Sequence, residues 1–235
     1  MIFRQLFEPQ SSAYTYLVAC EETREAALVD PVLEAVERDL ALLAELGLTL
    51  KYTLETHIHA DHVTGAARLR EETGSRAGAP EKSGADHVDM PIRESEPVII
   101  GELRLDPLYT PGHTDDHHAY LLRAPDVGRV FTGDALMIDG CGRTDFQNGD
   151  AATLYRSVHE KLFVLPEDTL VYPGHDYQQR RVSSIGQEKV RNPRLGGGKT
   201  IEEFVAIMAG LDLPRPKKMD VAVPANRECG EIQSA

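Results

Sequence analysis

The segment Thr56-His57-Ile58-His59-Ala60-Asp61-His62 places three imidazoles and one carboxylate in a single short run. A turn can aim several nitrogen and oxygen donors at one point when the strand before it fixes its origin, so this density of ligand-type residues reads as a metal-binding loop. Three more positions repeat the arrangement at a distance. His113 follows Leu108-Tyr109-Thr110-Pro111-Gly112, Asp134 follows Val130-Phe131-Thr132-Gly133, and His175 follows Val171-Tyr172-Pro173-Gly174. In each, an apolar run stops at Pro-Gly or Gly and delivers one His or Asp. A single histidine in such a place is more often an ordinary core or surface residue, but several separate strand ends supplying donors point to one shared centre. Asp115, Asp116, His117 and His118, beside His113, lack the strand-end pattern and are expected to be solvated or to stand behind the ligands.

The elements that must carry these loops are short. Residues 14–18, 26–29 and 50–54 are apolar or aromatic-rich and bounded by polar residues, which predicts strands. Asp30-Pro31 reads as an N-cap followed by proline at the first helical position. Leu33, Val36, Leu40 and Leu43 then recur at helical spacing, and Gly47 supplies the stop. A second helix is expected over about residues 64–72, and the small residues of 74–84 read as a loop. Residues 98–100, 103–105, 108–110, 119–122, 130–132 and 169–172 are predicted strands, with a helix over 153–163. Thr200-Ile201-Glu202-Glu203 matches a capping box, and Ile201, Phe204, Val205 and Met208 give an apolar helical face closed by Gly210.

Composition narrows the classes. The chain has 235 residues, 41% of them hydrophobic, enough to bury one continuous core. Its 25 Lys and Arg against 38 Asp and Glu leave a formal charge of −13, which disfavours phosphate backbones and anionic lipid. Neither a nucleic-acid nor a membrane partner is expected. No apolar run approaches the roughly 18 residues that span a bilayer, and residues 1–8 lack the basic and apolar regions of a signal peptide. Cys20, Cys141 and Cys229 are odd in number, far apart and without a C-x-x-C pair, so a reduced, cytoplasmic setting is expected. One domain over 1–235 is anticipated, with a C-terminal helical extension over about 176–235 packed on it.

The pattern T-H-x-H-x-D-H at Thr56 to His62, with His113, Asp134 and His175, resembles the metallo-β-lactamase superfamily. The resemblance covers nearly the whole chain and implies an α/β fold, the αββα four-layer sandwich, with the metal site along one edge. It does not choose among hydrolases, oxidoreductases and dioxygenases. Two groups fit: glyoxalase II, a dinuclear hydrolase of S-lactoylglutathione, and the persulfide dioxygenases, which use one Fe(II). Both share Gly140-Cys141-Gly142-Arg143. The run Arg143-Thr144-Asp145-Phe146-Gln147 is more similar to the dioxygenase group, as are Asn192-Pro193-Arg194-Leu195, Glu202-Glu203-Phe204 and Val223-Pro224-Ala225-Asn226. The stretch after His175 is also shorter than the helical substrate-binding domain of glyoxalase II.

For the dioxygenase group, the resemblance implies that His57, His113 and Asp134 are the catalytic centre and the ligands of one Fe(II) per chain. Two imidazoles and one carboxylate on one face of an octahedral ion leave positions for substrate and O2. His59, Asp61, His62 and His175 would stand behind these ligands or hold a second ion, which residue spacing alone does not forbid. Glutathione persulfide and O2 would be converted to sulfite and glutathione. Arg143 is expected to grip a glutathione carboxylate with its planar fork, or else to pair with Asp145 or another acid. Tyr177 would donate its hydroxyl near Cys141, or pack; Cys141 would touch the substrate sulfur, or be a small buried thiol. Asp176 would accept a ligand imidazole N–H or lie exposed, and Thr132 is expected to be structural. Arg180, Arg181, Lys189, Arg191 and Arg194 read as solvated charges more than as substrate-steering ones. Competing readings are a glyoxalase II-like hydrolase and a non-catalytic metal- or persulfide-binding sensor, and a homodimer is compatible with any of them.

Overall fold

A computed structural model describes residues 1–124 and 126–231. An apolar sheet face must be covered by another layer, and here two six-stranded sheets cover each other. The first runs in the order β1 (Ile2–Glu8), β2 (Ala13–Ala19), β3 (Glu25–Val29), β4 (Thr49–Leu54), β5 (Arg76–Pro80) and β6 (Met90–Ile92). The second runs β7 (Val98–Ile100), β8 (Leu103–Tyr109), β9 (His118–Leu122), β10 (Arg129–Gly133), β11 (Leu170–Pro173) and β12 (Ser183–Ser184). The pairs β3–β4, β4–β5, β5–β6 and β10–β11 are parallel and the other neighbours antiparallel.

The expected αββα layering of an α/β fold follows from which faces are apolar. Helices α1 (Val36–Leu46) and α2 (Ala66–Thr73) cover the outside of the first sheet, where Val36, Leu43 and Leu69 pack with Leu17, Ala26 and Leu28. Helices α3 (Ala151–Ser157), α4 (Ile185–Arg191) and α5 (Ile201–Ala209) cover the second, where Leu154, Ile185 and Phe204 meet Ala119, Leu121 and Val171. Between the sheets, Tyr14, Tyr16 and Leu54 face Leu105, Tyr120, Leu122 and Phe131. Strand alternation sends Leu121 outward and Tyr120 and Leu122 inward, and each such buried side chain contributes about 1.5–3 kcal/mol. The last helix, α6 (Met219–Arg227), sets Ala222 and Ala225 against Val63 in the histidine loop.

Several expectations change. The 74–84 loop contains strand β5, whose small residues are a packing requirement: a Cβ on Gly78 would lie 3.0 to 3.2 Å from Ile92, Leu54 and Met90. Residues 103–105 and 108–110 belong to one strand, β8, because Pro107 lies beyond the end of β7, where no strand requires its N–H. The helix expected over 153–163 begins earlier, capped by the Asp150 side chain on Thr153 N–H, and continues as a π-helical turn over Val158–Leu162. The helix expected from Thr64 begins at Ala66. Strands β1, β6 and β12 were not anticipated, and helices α4 and α6 fall within the expected helical extension over about 176–235 without a strong period of their own. Asp30 is not an N-cap. Helix α1 starts after a 3-10 turn at Leu33–Ala35 without a side-chain cap, while Asp30, at φ 51°, turns its carboxylate into the protein.

Helix α1 also buries Asp39, whose Oδ2 has no hydrogen-bond partner and whose Oδ1 is met by Arg38 at 2.8 Å. Burial pushes its pKa up to about 6 against the opposing pull of Arg38. The folded chain therefore holds this proton more tightly than the unfolded chain, and its contribution to stability is lost as pH rises from about 4 through about 6. Asp39→Asn is expected to stabilise the protein at pH 7.5 by about 2 kcal/mol, with the advantage vanishing below about pH 4. Thermal unfolding of parent and variant across that range measures it; a constant gap would refute the buried-carboxyl explanation.

Candidate metal centre

The segments that follow β4, β8, β10 and β11 converge. After β4, Thr56 donates its N–H and its hydroxyl to the Asp30 carboxylate at 2.7 and 2.9 Å. That uses the only hydroxyl hydrogen, so the Thr56 oxygen meets His57 Nδ1, 2.9 Å away, with a lone pair, and Nδ1 must carry the ring proton. His57 Nε2 is left bare. His113, after β8, is fixed alike by a different group: its Nδ1 lies 2.6 Å from the main-chain oxygen of Arg143, which can only accept. Its Nε2 is left as the metal-facing nitrogen of the neutral ring. Asp134, at the end of β10, accepts from His175 Nδ1 at Oδ1, 2.8 Å, and holds Oδ2 3.6 Å from His113 Nε2. One ligand atom from each of His57, His113 and Asp134 lies within 4.8 Å of the others. Donors about 2.1 Å from a common ion and at right angles are about 3 Å apart, so these residues fit a first-row metal with a small closing movement.

The electrostatics suit that use. Burial, with the neighbouring His59, His113 and His117, pushes His57 well below its ordinary value, so the ring is neutral, the form that binds a metal. The His117 ring stacks on His57 with centroids 5.1 Å apart. Its Nε2 accepts the Asp134 N–H at 3.1 Å and its Nδ1 faces Thr110 Oγ1 at 2.9 Å, so it is a neutral buttress, and burial pushes its value far down too. Gly133, at φ 47°, permits this closeness, since a Cβ there would meet His117 Nε2 at 2.6 Å. Burial alone would raise Asp134, but His175 and His113 outweigh it and hold the carboxyl down to about 2.

The remaining donors form a second group. His59, Asp61 and His62 also offer ligand atoms within 4.8 Å of one another. His59 Nε2 faces Asp30 Oδ1 at 3.2 Å and Glu55 Oε2 at 3.4 Å. Burial opposes protonation there, yet the carboxylates raise His59 well above its ordinary value. His59 Nδ1 and His62 Nε2 are buried without a partner among the described residues. Asp61 Oδ2 lies 2.8 Å from His62 Nδ1 and 2.9 Å from His175 Nε2. His175 therefore bridges Asp134 and Asp61 with both ring nitrogens.

An open cavity of about 820 Å³ begins at His113 and Asp134 and is bounded by the 137–143 loop, Tyr177 and the strap over residues 213–218. The Arg143 side chain does not offer an open fork to it. Its Nε and Nη2 meet the Asp145 carboxylate at 2.6 and 2.8 Å, and Nη1 donates to Pro214 O at 2.7 Å. The guanidinium also lies over Phe146 at 4.5 Å. The ion pair with Asp145 is thus the arrangement found. Tyr177 is 77% exposed at the cavity mouth, its ring nearly parallel to His175 at 6.3 Å. The Cys141 thiol is buried, with Met208 Sδ at 3.8 Å and Arg194 Nη1 at 3.9 Å. Asp176 accepts from Gln178 N–H and Arg180 and makes no hydrogen bond to a ligand imidazole. Thr132 donates to Leu136 O at 2.6 Å, a structural bond. Asp116 and His118 are buried, Asp116 accepting the Ile58 N–H, whereas Asp115 is exposed.

The roles of Asp30, Glu55 and Asn226 were not foreseen. Asp30 ends an apolar strand just as Asp134 does, which was the signal available. Asn226 lies far along the chain from the loop it touches; the run Val223-Pro224-Ala225-Asn226 carried a family resemblance but no sign of that contact.

The family model described as "Metallo-beta-lactamase superfamily" matches residues 9–175. Persulfide dioxygenase ETHE1, mitochondrial, of Homo sapiens is 48% identical over 231 residues, covering 98% of this chain and 89% of the relative. The crystal structure of ETHE1 from Myxococcus xanthus matches with a TM-score of 0.94 at 55% identity, covering 98% of this chain and 100% of that one. A probable hydroxyacylglutathione hydrolase of Schizosaccharomyces pombe is 36% identical over 173 residues, 72% of this chain and 66% of the relative.

Replacing His57, His113 or Asp134 singly by Ala should abolish metal retention through gel filtration, because two protein donors do not hold a labile divalent ion. Retention at the parental level in any of the three would remove that residue from the ligand set. Thr56→Val, which deletes the acceptor behind His57, is expected to weaken metal affinity roughly 10- to 100-fold in a chelator competition.

Proposed function

We propose that this chain, which belongs to the metallo-β-lactamase superfamily and to its persulfide dioxygenase group, holds one Fe(II) on His57, His113 and Asp134 and oxidises glutathione persulfide with O2 to sulfite and glutathione. The observation that carries the iron assignment is the pair of imidazoles tied at Nδ1 beside Asp134 Oδ2, two nitrogen donors and one carboxylate donor facing one point. Similarity to persulfide dioxygenases over nearly the full length supports the reaction. Held by these three side chains, Fe(II) would supply the redox chemistry that lets an anionic sulfur react with O2. In the overall change O2 takes electrons from the sulfane sulfur, and water supplies the remaining sulfite oxygen.

The chain's own groups prepare that meeting. Thr56 Oγ1 and Arg143 O keep both imidazoles in the tautomer that points Nε2 at the site, and His175 occupies one Asp134 oxygen so that the other faces it. The cavity has room for a tripeptide arm. Arg143 ties the 213–218 strap to the 143–146 loop, so we assign the attraction for the glutathione carboxylates to Arg194 and Lys217, cavity-lining cations without a carboxylate partner among the described residues. The exposed Tyr177 ring borders the path of the arm. Burial, only partly offset by Arg194, pushes the Cys141 thiol up to about 11. It stays protonated near neutrality and does not compete for the persulfide by thiolate exchange.

All three cysteines are free and buried, which supports a reducing compartment, in our reading the cytoplasm; the human relative is named as mitochondrial. No helix among the described residues is long and apolar enough to cross a membrane.

Protein purified without added metal should contain one iron per chain and consume O2 only when glutathione persulfide is supplied, with sulfite formed in step. Two zinc ions per chain, thioester hydrolysis and no O2 uptake would instead establish the hydrolase, for which the His59, Asp61 and His62 group provides the second site.

A further inference from the structure

We infer that Asn226, on helix α6, is a positioning residue that clamps the histidine loop from behind. Its side chain is 4% exposed and makes three hydrogen bonds to that loop's backbone. Oδ1 accepts the Thr64 N–H at 2.8 Å, and Nδ2 donates to the carbonyls of His59 and His62, both at 2.9 Å. An amide has one acceptor oxygen and two N–H donors, and each finds a partner here, so only one orientation of the group satisfies all three contacts. The loop is not otherwise held at these carbonyls by sheet pairing, because β4 has ended at Leu54. The same helix end makes further attachments to the segment that follows. Cys229 O accepts the Ala67 N–H at 3.1 Å, and Gly230 lies so close to Thr64 that a Cβ on it would meet Thr64 O at 2.4 Å. Thr64 in turn donates its hydroxyl to Glu55 Oε1 at 2.5 Å, closing a frame around the loop from its first residue to its last.

The consequence concerns His57 and its neighbours together. His57 is held by Thr56 on one side, but the chain must reverse between His57 and Thr64 while keeping several imidazoles buried. The His59 and His62 carbonyls, if unclamped, would be buried acceptors without partners, a costly condition that movement of the loop relieves. Asn226 removes that reason to move. It touches none of the reacting groups, and its effect reaches the metal through the loop backbone. The inference rests on the ligand assignment to His57, His113 and Asp134, and on neither the substrate nor the reaction. That assignment fails separately, through unchanged metal content in the three alanine variants.

The test uses cobalt(II) as the metal probe, because its visible spectrum reports ligand geometry. Asn226→Asp keeps the size and the acceptor but replaces both donors with an oxygen facing two carbonyls, and Asn226→Ala removes all three contacts. Ala222→Gly, at a buried position on the same helix that packs on Val63 but makes no side-chain hydrogen bond to the loop, serves as the control for general loosening of α6 and its packing. Both Asn226 variants are expected to release cobalt to a chelator at least about tenfold faster than Ala222→Gly at an equal loss of thermal stability, with an altered visible spectrum. Release rates and spectra that match the control overturn the clamp. Should the variants fold poorly, the parent chain decides the matter by itself. Coupling is reciprocal, so cobalt binding must slow hydrogen exchange of the Thr64 amide and of the α6 amides by roughly tenfold relative to the metal-free protein. Exchange in α6 that is indifferent to the metal refutes the inference.

Discussion

A buried imidazole serves as a metal donor only while its other nitrogen is tied to an acceptor, and the site is built around supplying that acceptor. For His57 the tie runs from the Asp30 carboxylate through the Thr56 hydroxyl to Nδ1, a relay in which each hydrogen has one permitted place. Asp30 adopts φ 51°, a conformation that non-glycine residues enter at a cost of about 1–2 kcal/mol, in order to bring its carboxylate to that relay. For His113 the tie is a main-chain carbonyl, which cannot reverse its role whatever the pH. Loss of either acceptor would leave the ring free to present a proton, in place of a lone pair, to the metal.

Around these ties the protein gathers more acid and imidazole than one ion can use. Such groups are tolerated in the interior because they compensate one another: His175 lies between Asp134 and Asp61, and His59 lies between Asp30 and Glu55. Buried charges that are paired and hydrogen-bonded hold their geometry, whereas the same groups unpaired would shift their proton affinity and go neutral. The balance also explains how a strongly acidic chain can concentrate anionic side chains where a metal cation is to sit. The fold contributes convergence, since loops from both sheets and one helix from the far end of the chain close on the same place. In the groove beside the metal ligands Arg143 acts as a tie between two loops, while other cations are left to face the cavity.

Much of this was legible in the sequence because its signals are local. The donors of the histidine loop, the strand ends bearing His113, Asp134 and His175, and the capping box before α5 each declare themselves within a few residues. The order of short apolar runs suggested strands packed on strands with helices outside, by the rule that apolar faces pair, and the family resemblance implied the four layers. The illegible parts share the opposite property. Strand β5 is made of small residues whose role depends on how close Ile92, Leu54 and Met90 come, and Asp30-Pro31 looks like a helix start until Thr56 is seen beside it. The open or closed state of the Arg143 fork depended on whether Asp145, two residues on, could fold back to meet it.

The residue types and their spacing therefore pointed to a metal centre and to the donors that could build it, because ligand chemistry is carried by individual groups and strand ends mark where they emerge; the choice of three ligands among those donors came from the family resemblance. Only the tertiary structure decided which nitrogen of His57 and of His113 is tied to an acceptor, which donors pair with one another, and that Asn226 reaches the loop from 162 residues away. Those outcomes depend on distances and hydrogen-bond directions between segments remote in sequence. No local pattern encodes them, since a hydrogen bond is assigned only after both partners have a place in space.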